Sequence, residues 1–205
     1  MVKTVEFLFD VVSPASYFAW HVVPKIAAAA GAELVYTPVL LGGVMQATGN
    51  RPPGTVDAKA RWMAQDLQRW AALYGLAYTR NAIFPQKTIT VMRGMVALHG
   101  TPAFHTLGDA LFRAMHVENR EIQDPQVLAE ILTGIGIDAE AFMAEASDQA
   151  VKDRLTANTE DAVARGMFGA PTFFVGDQMH FGQDRMWMVA EDLGTSIHAA
   201  MGEGT

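Results

Sequence analysis

The stretch TVEFLFDVVSPAS, residues 4–16, decides the fold of this chain. Residues 4–10 are mostly apolar and β-branched or aromatic, which is typical of a buried strand. Ser13 is a preferred helix N-cap, and the proline after it fits the first helical position. Apolar side chains then recur at helical spacing until Gly31 supplies a C-terminal stop, which predicts a helix that ends near Ala30.

A second strand is predicted directly after this helix. Residues 34–41 are rich in apolar and β-branched side chains, which favours a strand parallel to the first through a right-handed crossover. Glycines and prolines over 42–54 predict a short irregular segment. From Thr55 a helix is predicted, with apolar side chains on one face and Gly75 at its end.

The long middle of the chain shows helical periodicity and no convincing strand. Further helices are predicted near 88–100, 103–117, 125–133, 138–146 and 148–165. This block amounts to about a hundred residues of helix inserted between strand-forming segments. A helical lobe beside a sheet is the arrangement that this order of elements allows.

Strand-like runs return near the C-terminus, at 171–175 and 178–181. A Gly176-Asp177 turn joins them and predicts a β-hairpin, and a last helix is predicted from near Gln183. Four strands can then share one mixed sheet, so the fold class is α/β. The predicted division is a sheet-containing domain of residues 1–54 plus 167–205 and an all-helical insertion of residues 55–166.

Composition narrows the classes of function. Half of the 205 residues are apolar, and the net charge is −7 without any cluster of Lys and Arg, so nucleic acid and anionic membrane surfaces are disfavoured as partners. No apolar run reaches membrane-spanning length, and the first residues form a strand instead of a signal core, so the cytoplasm is expected. The absence of cysteine excludes disulfides, thiolate metal sites and a protein thiol nucleophile, and the histidine spacing predicts no metal site.

Four motifs, in order along the chain, carry a resemblance to a known family. They are FDVVSPASYFA at 9–19, TGNRPP at 48–53, DLQRW at 66–70 and FGAPTFFVG at 168–176. Together they resemble the 2-hydroxychromene-2-carboxylate isomerases, which are relatives of the kappa-class glutathione transferases. The order of elements is similar to a thioredoxin-like fold with a large all-helical insertion, as in the bacterial disulfide-oxidoreductase A family.

The resemblance implies a glutathione-dependent isomerase in the breakdown of naphthalene-like aromatics, with a small aromatic keto acid as substrate. It would interconvert 2-hydroxychromene-2-carboxylate and trans-o-hydroxybenzylidenepyruvate through reversible addition of the glutathione thiolate. Relatives are commonly homodimers. Two alternatives stay open: a kappa-like transferase whose product retains the sulfur, and an inert thioredoxin-like module that binds peptides or a partner.

Ser13 is the predicted catalytic residue. By the resemblance it stands where thioredoxin-like oxidoreductases carry the Cys-x-x-Cys motif, so here the thiol has to come from glutathione. Only roughly a few per cent of a free thiol is ionised at pH 7, so a thiolate benefits from a hydroxyl donor and a helix N-terminus. Ser13 would stabilise the thiolate without being the nucleophile, although a serine here also serves as a plain helix cap. Ser16, one turn later, is a candidate for supporting Ser13. A solvent-exposed serine without a role in the site is an equally good interpretation.

The resemblance also implies the other glutathione-binding residues. A cis peptide bond is expected at Ala170-Pro171, with the Ala170 main chain turned to pair with the peptide ligand. Gln183 and Asp184 would hold its γ-glutamyl end, although an acid in a first helical turn also stabilises the helix dipole. The predicted glutathione-binding residues are Ser13, Asn50, Ala170, Pro171, Phe181, Gly182, Gln183 and Asp184.

The substrate side departs from the family pattern. Many relatives place a lysine in the short segment before Thr-Gly-Asn, where a cation would engage the substrate carboxylate, and this chain has Met45-Gln46 there. The cations that would substitute are Arg51, Lys87 and Arg93. The predicted substrate-binding residues are Met45, Gln46, Arg51 and the loop residues Phe84 and Pro85.

Overall fold

The sheet is built around β1, Thr4–Phe9, in the computed structural model of the chain, which describes residues 2–202. Its other strands are β2 (Glu33–Pro38), β3 (Thr172–Val175) and β4 (Gln178–Phe181), in the order β2-β1-β3-β4. β1 pairs in parallel with β2 and antiparallel with β3, which pairs antiparallel with β4. The predicted parallel opening and the predicted C-terminal hairpin are both confirmed.

The described residues form ten α-helices, none of them long and apolar enough to cross a membrane. The first four are α1 (Pro14–Ala30), α2 (Leu41–Thr48), α3 (Asp57–Tyr74) and α4 (Ile89–Ala97). The next four are α5 (Ala103–His116), α6 (Pro125–Gly134), α7 (Ala139–Ser147) and α8 (Gln149–Ala164). The last two are α9 (Met186–Leu193) and α10 (Ile197–Met201). The predicted helical block between β2 and β3 is therefore confirmed.

Helix α2 is an element that the sequence prediction missed, and the short helix α10 is another. The strand predicted over 34–41 ends at Pro38, and α2 begins at Leu41 and occupies the first part of the irregular segment predicted over 42–54. The two glycines of α2 have low helical propensity, but contacts from distant residues offset it. The Leu41 N–H donates to the Asp10 carboxylate, and the preceding N–H donates to the Thr159 hydroxyl.

The core is continuous from the sheet into the helical insertion. The Phe9 ring on β1 lies 5.3 Å from the Trp20 ring on α1, and Trp20 lies 5.9 Å from Phe104 on α5. Gly108 of α5 permits this packing, because a Cβ there would stand 2.3 Å from the Trp20 ring. Helices α1 and α5 therefore meet at van der Waals distance, and α1 is fixed between the sheet and the insertion.

Candidate active site

Ser13 lies at the junction of β1 and α1 with only 5% of its surface exposed. Its Oγ accepts a hydrogen bond from the Ser16 N–H at 3.1 Å, which caps α1 as predicted. The same hydroxyl donates to the Ala170 carbonyl at 2.9 Å. The structure thus brings the predicted catalytic residue and the predicted ligand-binding main chain into direct contact.

The Ala170–Pro171 peptide bond is cis, as the resemblance implied. The Thr172 hydroxyl donates to the Gly169 carbonyl at 2.7 Å and holds this turn at the start of β3. The Ala170 N–H donates to no acceptor within residues 2–202. The residue that contacts Ser13 through its carbonyl therefore also carries a main-chain donor without a partner among residues 2–202.

The Ser13 hydroxyl carries one proton, and the Ala170 carbonyl already accepts its hydrogen bond. A thiolate can accept this bond only after the hydroxyl rotates away from the carbonyl. The Ala170 carbonyl would then need another donor, because a buried carbonyl without one is unfavourable. A peptide ligand that offers a main-chain N–H supplies that donor.

Asp10 is a fully buried carboxyl just before the Ser13 turn. Its Oδ1 accepts from the Val12 N–H at 3.0 Å, and its Oδ2 accepts from the Leu41 N–H at 2.9 Å and from the Thr88 hydroxyl at 3.1 Å. Burial raises the pKa of Asp10 to about 6, against the opposite effect of these hydrogen bonds. Asp10 therefore ties the turn to the first residues of α2 and to the residue before α4.

His116, the last residue of α5, holds the same turn. Its Nε2 lies 2.8 Å from the Val11 carbonyl, and because a carbonyl only accepts, Nε2 carries the proton. Burial lowers the pKa of His116 to about 4, so the ring is neutral at pH 7. Sequence reasoning missed His116, because its partner is 105 residues away and no local pattern marks the contact.

Asn50 fastens the loop after α2 to the segment that leads to Ala170. Its Nδ2 donates to the Phe168 carbonyl at 2.7 Å, and its Oδ1 accepts from the Arg51 N–H at 2.8 Å. Both ends of the amide are used, so Asn50 positions the loop beside the Ser13–Ala170 contact. Beyond these two bonds, the amide has one more N–H and one more oxygen lone pair that can pair with a ligand.

The residues after β4 reach the cis-proline segment. The Gly182 N–H donates to the Pro171 carbonyl at 3.0 Å, with Gly182 at φ +97°, a conformation that favours glycine. Phe181 is partly exposed, and its ring lies 4.6 Å from that of Phe168. The structure therefore brings Phe181 and Gly182 to the edge of the sheet where Ala170 meets Ser13.

Gln183 and Asp184 lie in a short 3₁₀ turn, Gln183–Arg185, and α9 begins only at Met186. The predicted start of the last helix near Gln183 is therefore a tighter turn, from which the helix continues. The Asp184 carboxylate pairs with the Arg185 guanidinium, and the Tyr74 hydroxyl of α3 donates to the Gln183 carbonyl at 3.2 Å. An anion and a cation thus stand together beside the cis-proline segment.

Ser16 is fully buried, so the alternative of solvent exposure is wrong. Within residues 2–202, its Oγ is the buried side-chain oxygen that lacks a hydrogen-bond partner. A buried hydroxyl without a partner costs free energy. Its main-chain N–H, in contrast, is used by the Ser13 cap.

The predicted substrate-binding residues do not all gather in one place. Met45 packs against the core, whereas Gln46 lines a cavity between α2, α4 and α8 to which Arg93 also contributes. Neither Ser13 nor Ala170 lines that cavity. Arg51 is exposed in the loop after α2.

Phe84 and Pro85 are joined by a second cis peptide bond, and 47% of the Phe84 surface is exposed. Their loop reaches the Ser13 turn through the Thr88 hydroxyl, which donates to Asp10. Phe168 was not predicted as a binding residue, although it begins the motif that contains Ala170. Its exposed ring against Phe181 is the apolar surface that the structure places next to the cis-proline segment.

The donors around Ser13 suit an organic anion. They comprise the Ser13 hydroxyl and the Ala170 N–H, with one buried carboxyl behind them. Within residues 2–202 there is no group of three or more His, Cys, Asp or Glu side chains that could hold a metal ion. The Ser13 hydroxyl and the Ala170 N–H offer hydrogen bonds to a ligand such as a thiolate.

The chain is similar to known proteins over most of its length. Residues 4–194 match the model of the DsbA-like thioredoxin domain family. The chain is 31% identical over 192 residues to 2-hydroxychromene-2-carboxylate isomerase of Pseudomonas putida, covering 93% of this chain and 94% of that protein. It is 28% identical over 203 residues to glutathione S-transferase kappa 1 of Caenorhabditis elegans, covering 92% and 90%.

Solved structures give the same result. A 2-hydroxychromene-2-carboxylate isomerase structure superposes with a TM-score of 0.84 at 30% identity, covering 93% of this chain and 94% of that one. The cytosolic disulfide reductase DsbM of Pseudomonas aeruginosa, solved with GSH, shares the fold with a TM-score of 0.62 at 20% identity, covering 93% and 95%. The chain therefore belongs to the DsbA-like thioredoxin family and, within it, to the family of the 2-hydroxychromene-2-carboxylate isomerases.

Proposed function

We propose that this chain is a glutathione-dependent isomerase that interconverts 2-hydroxychromene-2-carboxylate and trans-o-hydroxybenzylidenepyruvate, or a related aromatic keto acid. The observation that carries the proposal is the Ser13 hydroxyl at the start of α1, hydrogen-bonded to Ala170 in a chain that has no cysteine. Such a site suits a thiolate that the protein cannot supply itself. Membership of the isomerase family supports isomerisation as the reaction.

The residues present fit glutathione. The free Ala170 N–H and the Ala170 carbonyl would pair with the main chain of the cysteinyl unit, as an added strand segment. The γ-glutamyl end carries both an ammonium and a carboxylate, and Asp184 with Arg185 offers one charge of each sign. Gly182, held against Pro171, sets the distance between these two parts of the site.

Glutathione, when bound, would supply a thiolate that adds reversibly to the unsaturated keto acid and permits rotation about the former double bond. Ser13 would turn its hydroxyl from the Ala170 carbonyl to the sulfur and stabilise the ionised form of the thiol. Its oxygen keeps the Ser16 N–H bond throughout, so the hydroxyl stays in place while its proton changes partner. Asp10 and His116 hold the turn through Val12 and Val11 and act through position alone.

The aromatic part of the substrate would lie on the exposed rings of Phe168 and Phe181. These rings contact each other beside the cis-proline segment, and 38% of Phe168 and 40% of Phe181 are exposed. A flat apolar substrate gains from offset contact with such rings. Phe84, in the loop tied to Asp10 through Thr88, is a second wall candidate.

The proposal is tested by following the chromene carboxylate spectroscopically with and without glutathione. We expect conversion only with glutathione, a product of unchanged mass, and glutathione that is not consumed. A product that retains sulfur would identify a kappa-like transferase instead, which the relationship to kappa-class enzymes makes the second candidate. Absence of glutathione binding at millimolar concentration in calorimetry would exclude both and leave an inert binding module.

The same proposal includes a homodimer that works in the cytoplasm on small products of aromatic breakdown. Light scattering coupled to size-exclusion chromatography measures the assembly directly. A mass of one chain at micromolar concentration would contradict the dimer and leave the isomerase proposal standing. Fractionation of producing cells tests the compartment separately.

A further inference from the structure

A cavity of about 590 Å³ lies between α2, α4 and α8. Its volume is in the range of small-molecule sites in proteins. Much of its wall is apolar. The apolar lining residues are Leu40, Ala47, Ile89, Leu155, Val163 and Ala164.

This cavity is distinct from the Ser13 site. None of the predicted glutathione-binding residues lines it. Leu40 and Ile89 of its wall are the chain neighbours of Leu41 and Thr88, which both donate to Asp10. Ser13, Asp10 and Ala170 are not among the lining residues of the cavity, so the proposed reacting groups lie outside it.

Two cations line the cavity. Arg93 comes from α4 and Lys152 from α8, and each is only partly exposed. In the described part of the chain, neither side chain forms an ion pair or a hydrogen bond. A charge partly withdrawn from water without a partner is unfavourable, so a bound anion would stabilise both.

Other polar groups in the lining further limit the class of ligand that the cavity can bind. The Thr159 hydroxyl is used by Leu155 and Leu40, and the Thr156 hydroxyl by Lys152, so neither is available. Glu160 also lines the cavity but is exposed at its rim. The Glu160 carboxylate would repel a second negative charge on the ligand. The cavity therefore favours a ligand with one negative charge.

We propose that this cavity is a second ligand site, which takes a small monocarboxylate with an apolar, ring-sized body. Arg93 and Lys152 hold the carboxylate, and the apolar wall receives the rings. The site is independent of the proposed isomerase activity, because it uses none of the residues of the Ser13 site.

Isothermal titration calorimetry with 1-naphthoate tests this site on the full chain. We expect wild-type protein to bind 1-naphthoate and to bind the uncharged naphthalene-1-methanol at least roughly tenfold more weakly. Arg93→Gln and Lys152→Gln should each weaken 1-naphthoate binding by about tenfold, the scale of one lost charge-assisted hydrogen bond. Glu160→Gln should leave the affinity unchanged or raise it, because it removes a repulsive charge.

Arg154→Gln is the matched control, because Arg154 is exposed on the same helix and does not line the cavity. Ser13→Ala separates this site from the reacting one and should leave 1-naphthoate affinity unchanged. The proposal is overturned if wild-type protein does not bind 1-naphthoate. It is equally overturned if Arg93→Gln and Lys152→Gln bind as tightly as Arg154→Gln, or if Ser13→Ala abolishes binding.

Discussion

At the scale of single residues, the Ser13 hydroxyl has one proton, which it can donate either to the Ala170 carbonyl or to a bound thiolate, while its oxygen accepts from the Ser16 N–H. Ser13→Ala removes the donor to the thiolate but leaves the Ala170 N–H free to bind peptide main chain. We expect turnover to fall roughly tenfold or more, and the pKa of the bound glutathione thiol to rise, while glutathione affinity changes less. Steady-state kinetics and ultraviolet titration of the bound thiolate measure both. Unchanged turnover would reduce Ser13 to a helix cap.

Ser16→Ala is the matched control for that variant. The Ser16 Oγ is buried without a partner in the described structure, so its removal relieves an unsatisfied polar group. We expect the free energy of unfolding to rise by about 1 kcal/mol in urea titrations, with turnover within about twofold of wild type. A large loss of turnover would instead mean that Ser16 Oγ contacts the bound thiol.

At the scale of elements, the packing of α1 on α5 depends on Gly108. A Cβ at this position would stand 2.3 Å from the Trp20 ring, whereas a Cβ at Gly134 in α6 would meet nothing within 4 Å. Gly108→Ala should therefore destabilise the protein by about 1–3 kcal/mol through overpacking. Gly134→Ala, the matched helical change, should stabilise it by up to about 1 kcal/mol. Urea unfolding of both variants measures these changes. Equal effects on the free energy of unfolding would refute the close approach of α1 to α5.

The same elements show how far sequence reasoning reaches. β1, α1 and the C-terminal hairpin were predicted because their signals are local: an apolar run, the Ser13 cap and the Gly176-Asp177 turn. Helix α2 was missed because its stability comes from contacts with Asp10 and Thr159, which lie far away in the chain.

In the candidate site, too, some residues were predictable from local motifs and others were not. Ser13 and the cis peptide at Ala170-Pro171 were predictable from motifs, and the structure joins them. The supporting contacts of Thr88 and His116 have no local pattern, since each reaches the Ser13 turn from a distant helix. The sequence alone also did not predict that Gln46 lines a separate cavity, because its position depends on how α2 packs against α8.

At the scale of the whole molecule, two buried groups behind the Ser13 turn have opposite effects on stability. Burial raises the pKa of Asp10 from 3.8 to about 6, so the folded state binds the extra proton between these values and loses stability as pH rises through them. Burial lowers the pKa of His116 from 6.5 to about 4, so the unfolded state binds the extra proton and stability increases with pH over nearly the same range. The two contributions largely offset each other in the wild-type protein.

Single variants should expose each contribution. His116→Gln keeps a donor for the Val11 carbonyl and removes the histidine titration, so its free energy of unfolding, relative to wild type, should fall by about 3 kcal/mol from pH 4 to pH 6.5. Asp10→Asn removes the opposing titration, so its free energy of unfolding relative to wild type should rise by about 2 kcal/mol over the same interval. Urea unfolding at half-unit pH steps measures both slopes. Because the expected slopes have opposite signs, parallel profiles for the two variants would show that burial does not shift these groups as described.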